Sequence, residues 1–341
     1  MVHRIRPFST LPLLACLACT AAPAPQMGSQ AGEAPPPATS LLCHPGATVV
    51  AFAQLGLPPG SLPVDMALTP ESVWILFQPV RLVRISRTPG QVRVASRTGA
   101  PGEEWTAMDA DRDGSVWIVA KDFGLYHFGA DLTPRGKVPL GREVLGEGGI
   151  ARLLAGGDTL YAQPSCGEYG IWRIGLDGKV AGTDFRAPQP AGAVDPATMN
   201  CARVALVRDA EGGVVAWDED QGKAFRAGPG GTWEETGADP FRLVAACDPY
   251  RKSGGAGVGT PIDFCDEMIY WGDRLLLLHT IPGNSGPTSR LLAVENGEVR
   301  EFLETCFGDG VTNLAADGRG YAALTSRAIA FGDFASVPAL P

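Results

Sequence analysis

Histidine is nearly absent from this chain: His3, His44, His127 and His279 are the four among 341 residues. A site built from histidines recruited off several repeats is therefore not available. Charge is thin as well, at 19% of residues, and the 28 Lys and Arg against 37 Asp and Glu form no basic cluster. Phosphate binding needs concentrated cations, so nucleic acid is excluded as a partner. After the first twenty positions no apolar run is long enough to cross a bilayer. No i, i+3, i+4, i+7 pattern persists over several turns, which argues against a helical body. What is abundant is Gly (44) and Pro (29), the composition of many short strands joined by tight turns. The net charge of −9 and pI near 5.0 speak only to solubility.

The N-terminus reads as an address. His3, Arg4 and Arg6 precede an apolar run from Phe8 to Ala18, a secretory pattern too short to be a membrane span. Leu13-Leu14-Ala15-Cys16 resembles the lipobox of bacterial lipoproteins, and the resemblance implies acylation of Cys16. Cys19, which follows Cys16-Leu17-Ala18, is the rival. Residues 1–18 are thus expected to be a lipoprotein signal peptide. Residues 19–42, rich in Ala and Pro, cannot bury a core and read as a linker. The expected location is an exported, membrane-anchored lipoprotein at the outer membrane or cell surface, or facing the periplasm. The lipid anchor would be its one membrane contact.

From 43 to 341 the chain repeats itself. A short apolar strand recurs as LVRIS (82–86), LYHFG (125–129), IWRIG (171–175), AFRAG (224–228), LLAVE (291–295) and AIAFG (328–332). A hairpin precedes each copy. Three hairpins turn on D-x-x-G: Asp111 to Gly114, Asp209 to Gly212 and Asp317 to Gly320. Asp caps its own backbone there and Gly accepts positive φ. Most copies add a further short strand, giving four antiparallel strands, A to D, in roughly 43 to 65 residues. The last copy lacks its outer strand, and ATVVAFAQL (47–55) stands alone ahead of the first. The expected fold is therefore all-β: a six-bladed propeller of four-stranded blades, the last closed by the N-terminal strand, which removes free sheet edges.

The turn followed by Val-Trp-Ile resembles NHL, two-component-regulator and gluconolactonase-like propeller repeats. The resemblance implies a fold rather than an activity. Gluconolactonase-like enzymes would use a Glu, an Asn and an Asp around one divalent metal, and no such set is matched by motif here.

Chemistry-bearing residues are few. His127 occupies the variable place of its strand, where other copies carry Arg84, Arg173 and Arg226, and reads as a lateral strand residue. His279 ends a B strand at the mouth of a long loop and is the better site candidate. Asp109-x-Asp111-x-Asp113-Gly114 looks like the opening of a calcium loop. However, the closing Glu position holds Ala120, and Asp111 and Gly114 already serve the turn. No cofactor is otherwise expected. Trp74, Trp117, Tyr161 and Trp172 lie at strand centres and read as packing, whereas Trp105 could line the channel mouth.

Six cysteines remain past the signal, an even number in an exported chain, which points to disulfides. Topology pairs Cys166 with Cys201 on neighbouring loops of one face. It pairs Cys247 with Cys265 around an insertion, and leaves Cys43 and Cys306 by elimination. The same face, built from B–C and D–A loops, carries Glu168, Tyr169, Asp218, Glu219, Asp220 and His279. Irregular loops on a rigid scaffold are where binding concentrates. The functional expectation is a monomeric binding or scaffold module for a protein, peptide or glycan. One alternative is a metal-dependent hydrolase or lyase of the gluconolactonase or NHL type. The other is a structural component of an envelope assembly.

Overall fold

A computed structural model describes residues 46–88, 92–121, 124–140, 150–164, 171–182, 204–209, 211–218, 223–238, 264–271, 274–281, 288–295, 298–304 and 311–336. All lie in the unit Ala38–Pro341. Cys16, Cys19, Cys43, Cys166, Cys201, Cys247, Cys306, Glu168, Tyr169, Glu219 and Asp220 lie outside the described residues. No helix among the described residues is long and apolar enough to cross a membrane.

The chain is an all-β propeller of four-stranded blades. Strand β1 is Thr48–Ala51. The first sheet comprises β2 (Leu62–Leu68), β3 (Ser72–Gln78), β4 (Arg81–Ser86) and β5 (Val94–Thr98). The second has β6 (Trp105–Ala110), β7 (Val116–Ala120), β8 (Gly124–Phe128) and β9 (Pro134–Pro139). The third has β10 (Ile150–Ala155), β11 (Thr159–Pro164), β12 (Trp172–Gly175) and β13 (Val180–Gly182). The fourth has β14 (Val204–Arg208), β15 (Val214–Asp218), β16 (Lys223–Ala227) and β17 (Trp233–Ala238). The fifth has β18 (Phe264–Trp271), β19 (Arg274–Ile281), β20 (Thr288–Glu295) and β21 (Glu298–Glu304). The sixth orders β1, β24 (Ala328–Asp333), β23 (Gly320–Thr325) and β22 (Val311–Ala316).

The core is divided among the seams between sheets. Trp74, Leu76 and Leu82 of the first sheet pack on Trp105, Met108, Ile118 and Phe128 of the second. Ile75, Phe77 and Ile85 of the first pack on Val50, Leu324, Ile329 and Phe331 of the sixth, with Phe52 in the same cluster. The B strands β3, β7 and β23 carry apolar runs because both of their faces are covered; all three are buried throughout apart from Gln78. At about 25 cal/mol per Å² of apolar surface removed from water, this two-sided burial is the main favourable contribution to folding.

The lone strand ahead of the first copy pairs antiparallel with β24, Thr48 opposite Phe331 and Ala51 opposite Ala328. It is shorter than 47–55, however, because Phe52–Leu55 winds into a 3-10 turn that buries Phe52. The D strand of the first sheet lies at Val94–Thr98. The turn chemistry departs from the repeat in one copy. Gly114 and Gly212 take φ of +79° and +81° as the D-x-x-G pattern requires, but in Asp317–Gly320 the positive φ falls on Gly318, at +80°. Gly320 is needed for another reason: a Cβ there would run into the Gly332 carbonyl and the Arg87 guanidinium.

Candidate functional site

The innermost strands β2, β6, β10, β14, β18 and β22 enclose a narrow channel cavity of about 60 Å³. In five of the six, β14 excepted, a β-bulge interrupts the register near the start of the strand. Such bulges re-aim side chains, and in β2 and β22 the residues just past them are Asp65 and Asn313. Asp65 Oδ1 accepts from the Met66 amide (2.8 Å) and from Asn313 Nδ2 (2.8 Å). Its Oδ2 accepts from the Met108 amide (2.7 Å). One carboxylate thus ties the first sheet to the second and the sixth. Asp109 does the same further along: Oδ2 accepts from the Ala155 amide (2.7 Å) and pairs with Arg208 Nη2. Arg208 Nη2 also donates to the Ala110 carbonyl (3.2 Å). Because Arg208 stands on β14 and Asp109 on β6, the pair reaches across β10.

Above Arg208 the A–B turns open into a basin of about 260 Å³, lined by Thr69, Pro70, Asp111, Arg112, Arg208, Asp209, Glu211, Tyr270 and Asp317 among others. Most of its carboxylates are already held. Asp209 Oδ1 accepts from the Glu211 and Gly213 amides (3.0 and 2.7 Å). Its Oδ2 lies 2.7 Å from Arg226 Nη2, close enough for ion pairing though off the line of a hydrogen bond. Glu211 pairs with the same guanidinium at 3.1 Å. Asp317 accepts from the Arg319 and Gly320 amides and from Arg87 at 2.5 Å. Arg87 comes from the first sheet, donates also to the Thr69 carbonyl (2.8 Å) and lies 3.3 Å from Asp333. The pair Arg87–Asp317 is 6% and 10% exposed, so its attraction is little screened by solvent.

Three groups differ. Asp111 Oδ1 takes only the amide of Arg112 (2.6 Å). The exposed Arg112 guanidinium lies 3.5 Å from the Glu211 carbonyl, a long contact, and faces no carboxylate among the described residues. The half-buried Tyr270 phenol has its pKa raised, first by burial and then by Asp209, so it is a proton donor at neutral pH.

Several residues marked in the sequence take other places. Trp105 is 2% exposed and packs on Tyr126 and Phe128, with centroids 5.7 and 5.6 Å apart. It is core, not a channel-mouth platform, because the bulge following it turns its ring into the seam. Asp109, Asp111 and Asp113 do not converge. Asp109 faces the channel, Asp111 the basin, and Asp113 the outer strand, where it accepts from the Ser115 amide (2.9 Å) and pairs with Arg135 at 2.9 Å. The Ser115 and Arg135 bonds hold the Asp113 carboxyl at about 2. Residues two apart share a face only while a strand continues; β6 ends at Ala110, and the turn that follows sends the three side chains different ways. Among the described residues no three His, Cys, Asp or Glu side chains gather as a metal site. Asp218 ends β15, His279 lies in β19 opposite Arg290, and Cys265 is the second residue of β18.

His127 stacks on Trp117 at 3.8 Å and 8°. Burial first, then Arg135, lowers its pKa, with Asp113 and Asp111 opposing. The equivalent pair in the first sheet is Trp74 with Arg84.

Asp65, Arg87, Arg112, Arg208 and Tyr270 carried no motif. A lone carboxylate inside the otherwise apolar Leu62–Leu68 was the one signal for the first of them.

No family model matches the chain and no curated protein matches it. Solved structures do. A streptogramin B lyase aligns at 10% identity over 84% of this chain and 97% of its own, TM-score 0.52. YCF48 from Cyanidioschyzon merolae aligns at 10% over 84% and 98%, TM-score 0.50. A protein of unknown function from Bacteroides thetaiotaomicron aligns at 14% over 84% and 76%, TM-score 0.50. At these identities the likeness establishes the propeller fold.

Proposed function

We propose that the chain is a binding propeller whose partner, a protein, peptide or glycan, seats its contacting group in the basin over the A–B turns. In this reading the six sheets are the blades of one closed ring, with β1 as the outer strand of the last blade. A lipid on Cys16, or on Cys19, anchors the ring through residues 19–42 outside the cytoplasm. The observation that carries the reading is a contrast in hydrogen bonding. The channel carboxylates Asp65 and Asp109 are taken up by Asn313, Arg208 and the backbone of other sheets, and so serve as framework. The basin keeps Arg112, Asp111 and Tyr270 available. Loops on a rigid scaffold with unsatisfied donors are suited to recognition.

A photoreactive amino acid at Pro70, which lines the basin, should give partner adducts in intact cells. The same group at the exposed Arg97 of β5 should not. Adducts at Arg97 alone, or equally at both, would sink the basin as the binding face. Cys16→Ser should release the protein from membranes; normal fractionation of both Cys16→Ser and Cys19→Ser would end the lipoprotein reading.

A further inference from the structure

We infer that the basin recognises a single carboxylate, gripped by Arg208 from its floor and Arg112 from its rim, with the Tyr270 hydroxyl as a third donor. The inference rests on the basin being the binding face. Arg208 is held in place by Asp109 and the Ala110 carbonyl, and both bonds leave from Nη2. A guanidinium has five N–H donors, so Nε and Nη1 remain for a ligand. Arg112 is committed to no anion, and its place on the rim is shaped by Gly212: a Cβ there would stand 3.0 Å from Arg112 Nη2. Two guanidinium groups and a phenol on one concavity keep N–H and O–H donors that no acceptor among the described residues takes, and a carboxylate supplies paired acceptors in the geometry guanidinium favours.

The neighbouring charges sharpen this. Asp317 pairs with Arg87, and Asp209 and Glu211 share Arg226, so each of these carboxylates has a cation other than Arg112 or Arg208. Asp111 is not offset by an ion pair among the described residues. Its charge tolerates a singly negative group beside Arg112 but repels a doubly negative phosphate, which selects carboxylate. Leu68, Pro70, Ala110 and Ala316 give the wall an apolar stretch for a short aliphatic stem. A volume of about 260 Å³ falls just under the usual range for drug-sized ligands, roughly 300–1,000 Å³. The ligand is therefore a small organic acid or the carboxylate end of a chain.

The test titrates the full-length protein with N-acetyl-alanine, a chain-end mimic, with butyrate, a free acid, with neutral N-acetyl-alaninamide, and with butylammonium. The reporters are the backbone amide shifts of Arg112, Gly212 and Tyr270. Both acids should move these signals, the amide should bind roughly tenfold more weakly or worse, and butylammonium should leave them unmoved. N-acetyl-alanine binding more tightly than butyrate would point to a chain end; the reverse order, to a free acid. Arg112→Ala should weaken both acids by roughly tenfold, with Arg112→Lys recovering part of the loss. Equal binding of acid and amide, a preference for butylammonium, or acid binding indifferent to Arg112→Ala would overturn the inference. If the acids fail while adducts still form at Pro70, the carboxylate is wrong and the binding face stands. If adducts form only at Arg97, the face itself is wrong.

Discussion

The channel and the basin above it are built from the same residue types and use them in opposite ways. In the channel, Asp65 and Asp109 each collect bonds from more than one sheet, leaving little capacity over. In the basin, Arg112 and Tyr270 hold capacity in reserve. The difference follows from position. Inner strands converge, so a polar side chain there meets neighbours on several strands and would carry a large desolvation penalty without them. Turns diverge from the axis, where solvent can satisfy a polar group until a ligand replaces it.

The largest effect should come from the buried pair joining the first and sixth sheets. Arg87→Ala removes the partner of a 10%-exposed Asp317, and losing one member of a buried pair costs about 3–5 kcal/mol. Urea unfolding should register it; a change under about 1 kcal/mol would mean this seam does not depend on the pair. Next comes the channel. Asp65→Ala strands the Met108 amide and Asn313 Nδ2, at about 1–3 kcal/mol for each unsatisfied buried group. Asp65→Asn should recover part of that loss, whereas equal midpoints for the two variants would show that the hydrogen bonds contribute nothing.

A smaller effect is pH-dependent. The folded-state pKa of His127 lies below the ordinary 6.5, so the unfolded chain binds the proton more readily. The stabilising contribution of neutral His127 is complete above about 6.5 and is lost as pH falls below that value towards the folded-state pKa. His127→Gln should flatten the decline in stability between neutral and mildly acidic pH. An unchanged slope would place the titrating group elsewhere. The smallest effect on stability belongs to the basin: Arg112→Ala should stay within about 0.5 kcal/mol of wild type, as exposed substitutions do, while abolishing most carboxylate binding. A large loss of stability in this variant would erase the distinction between framework and binding surface.

How much of this was legible in the sequence depends on range. The A–B turns were readable because Asp and Gly act on their own backbone within four residues: Asp209 holds the amides of Glu211 and Gly213. The recurrent apolar strands were readable because two-sided burial leaves a local apolar run, as in β3, β7 and β23. The role of Trp105 was misjudged since a bulge decides which way its ring turns, and no local pattern announces the bulge. The apparent calcium triplet dissolved because β6 ends at Ala110 and a turn follows, so an even spacing no longer keeps the carboxylates on one face.

By itself the sequence determined an all-β body of four-stranded repeats, the turns that join them and the packing role of Trp74, Trp117 and Tyr161, all consequences of side-chain alternation and local backbone chemistry. Only the tertiary structure decided which polar residues matter. Arg87 meets Asp317 at a separation of 230 positions, Asn313 meets Asp65 at 248, and Arg208 meets Asp109 at 99. Such partners are chosen by the way the sheets are arranged around the channel, since electrostatic and hydrogen-bond energies depend on distance in space and are blind to distance along the chain.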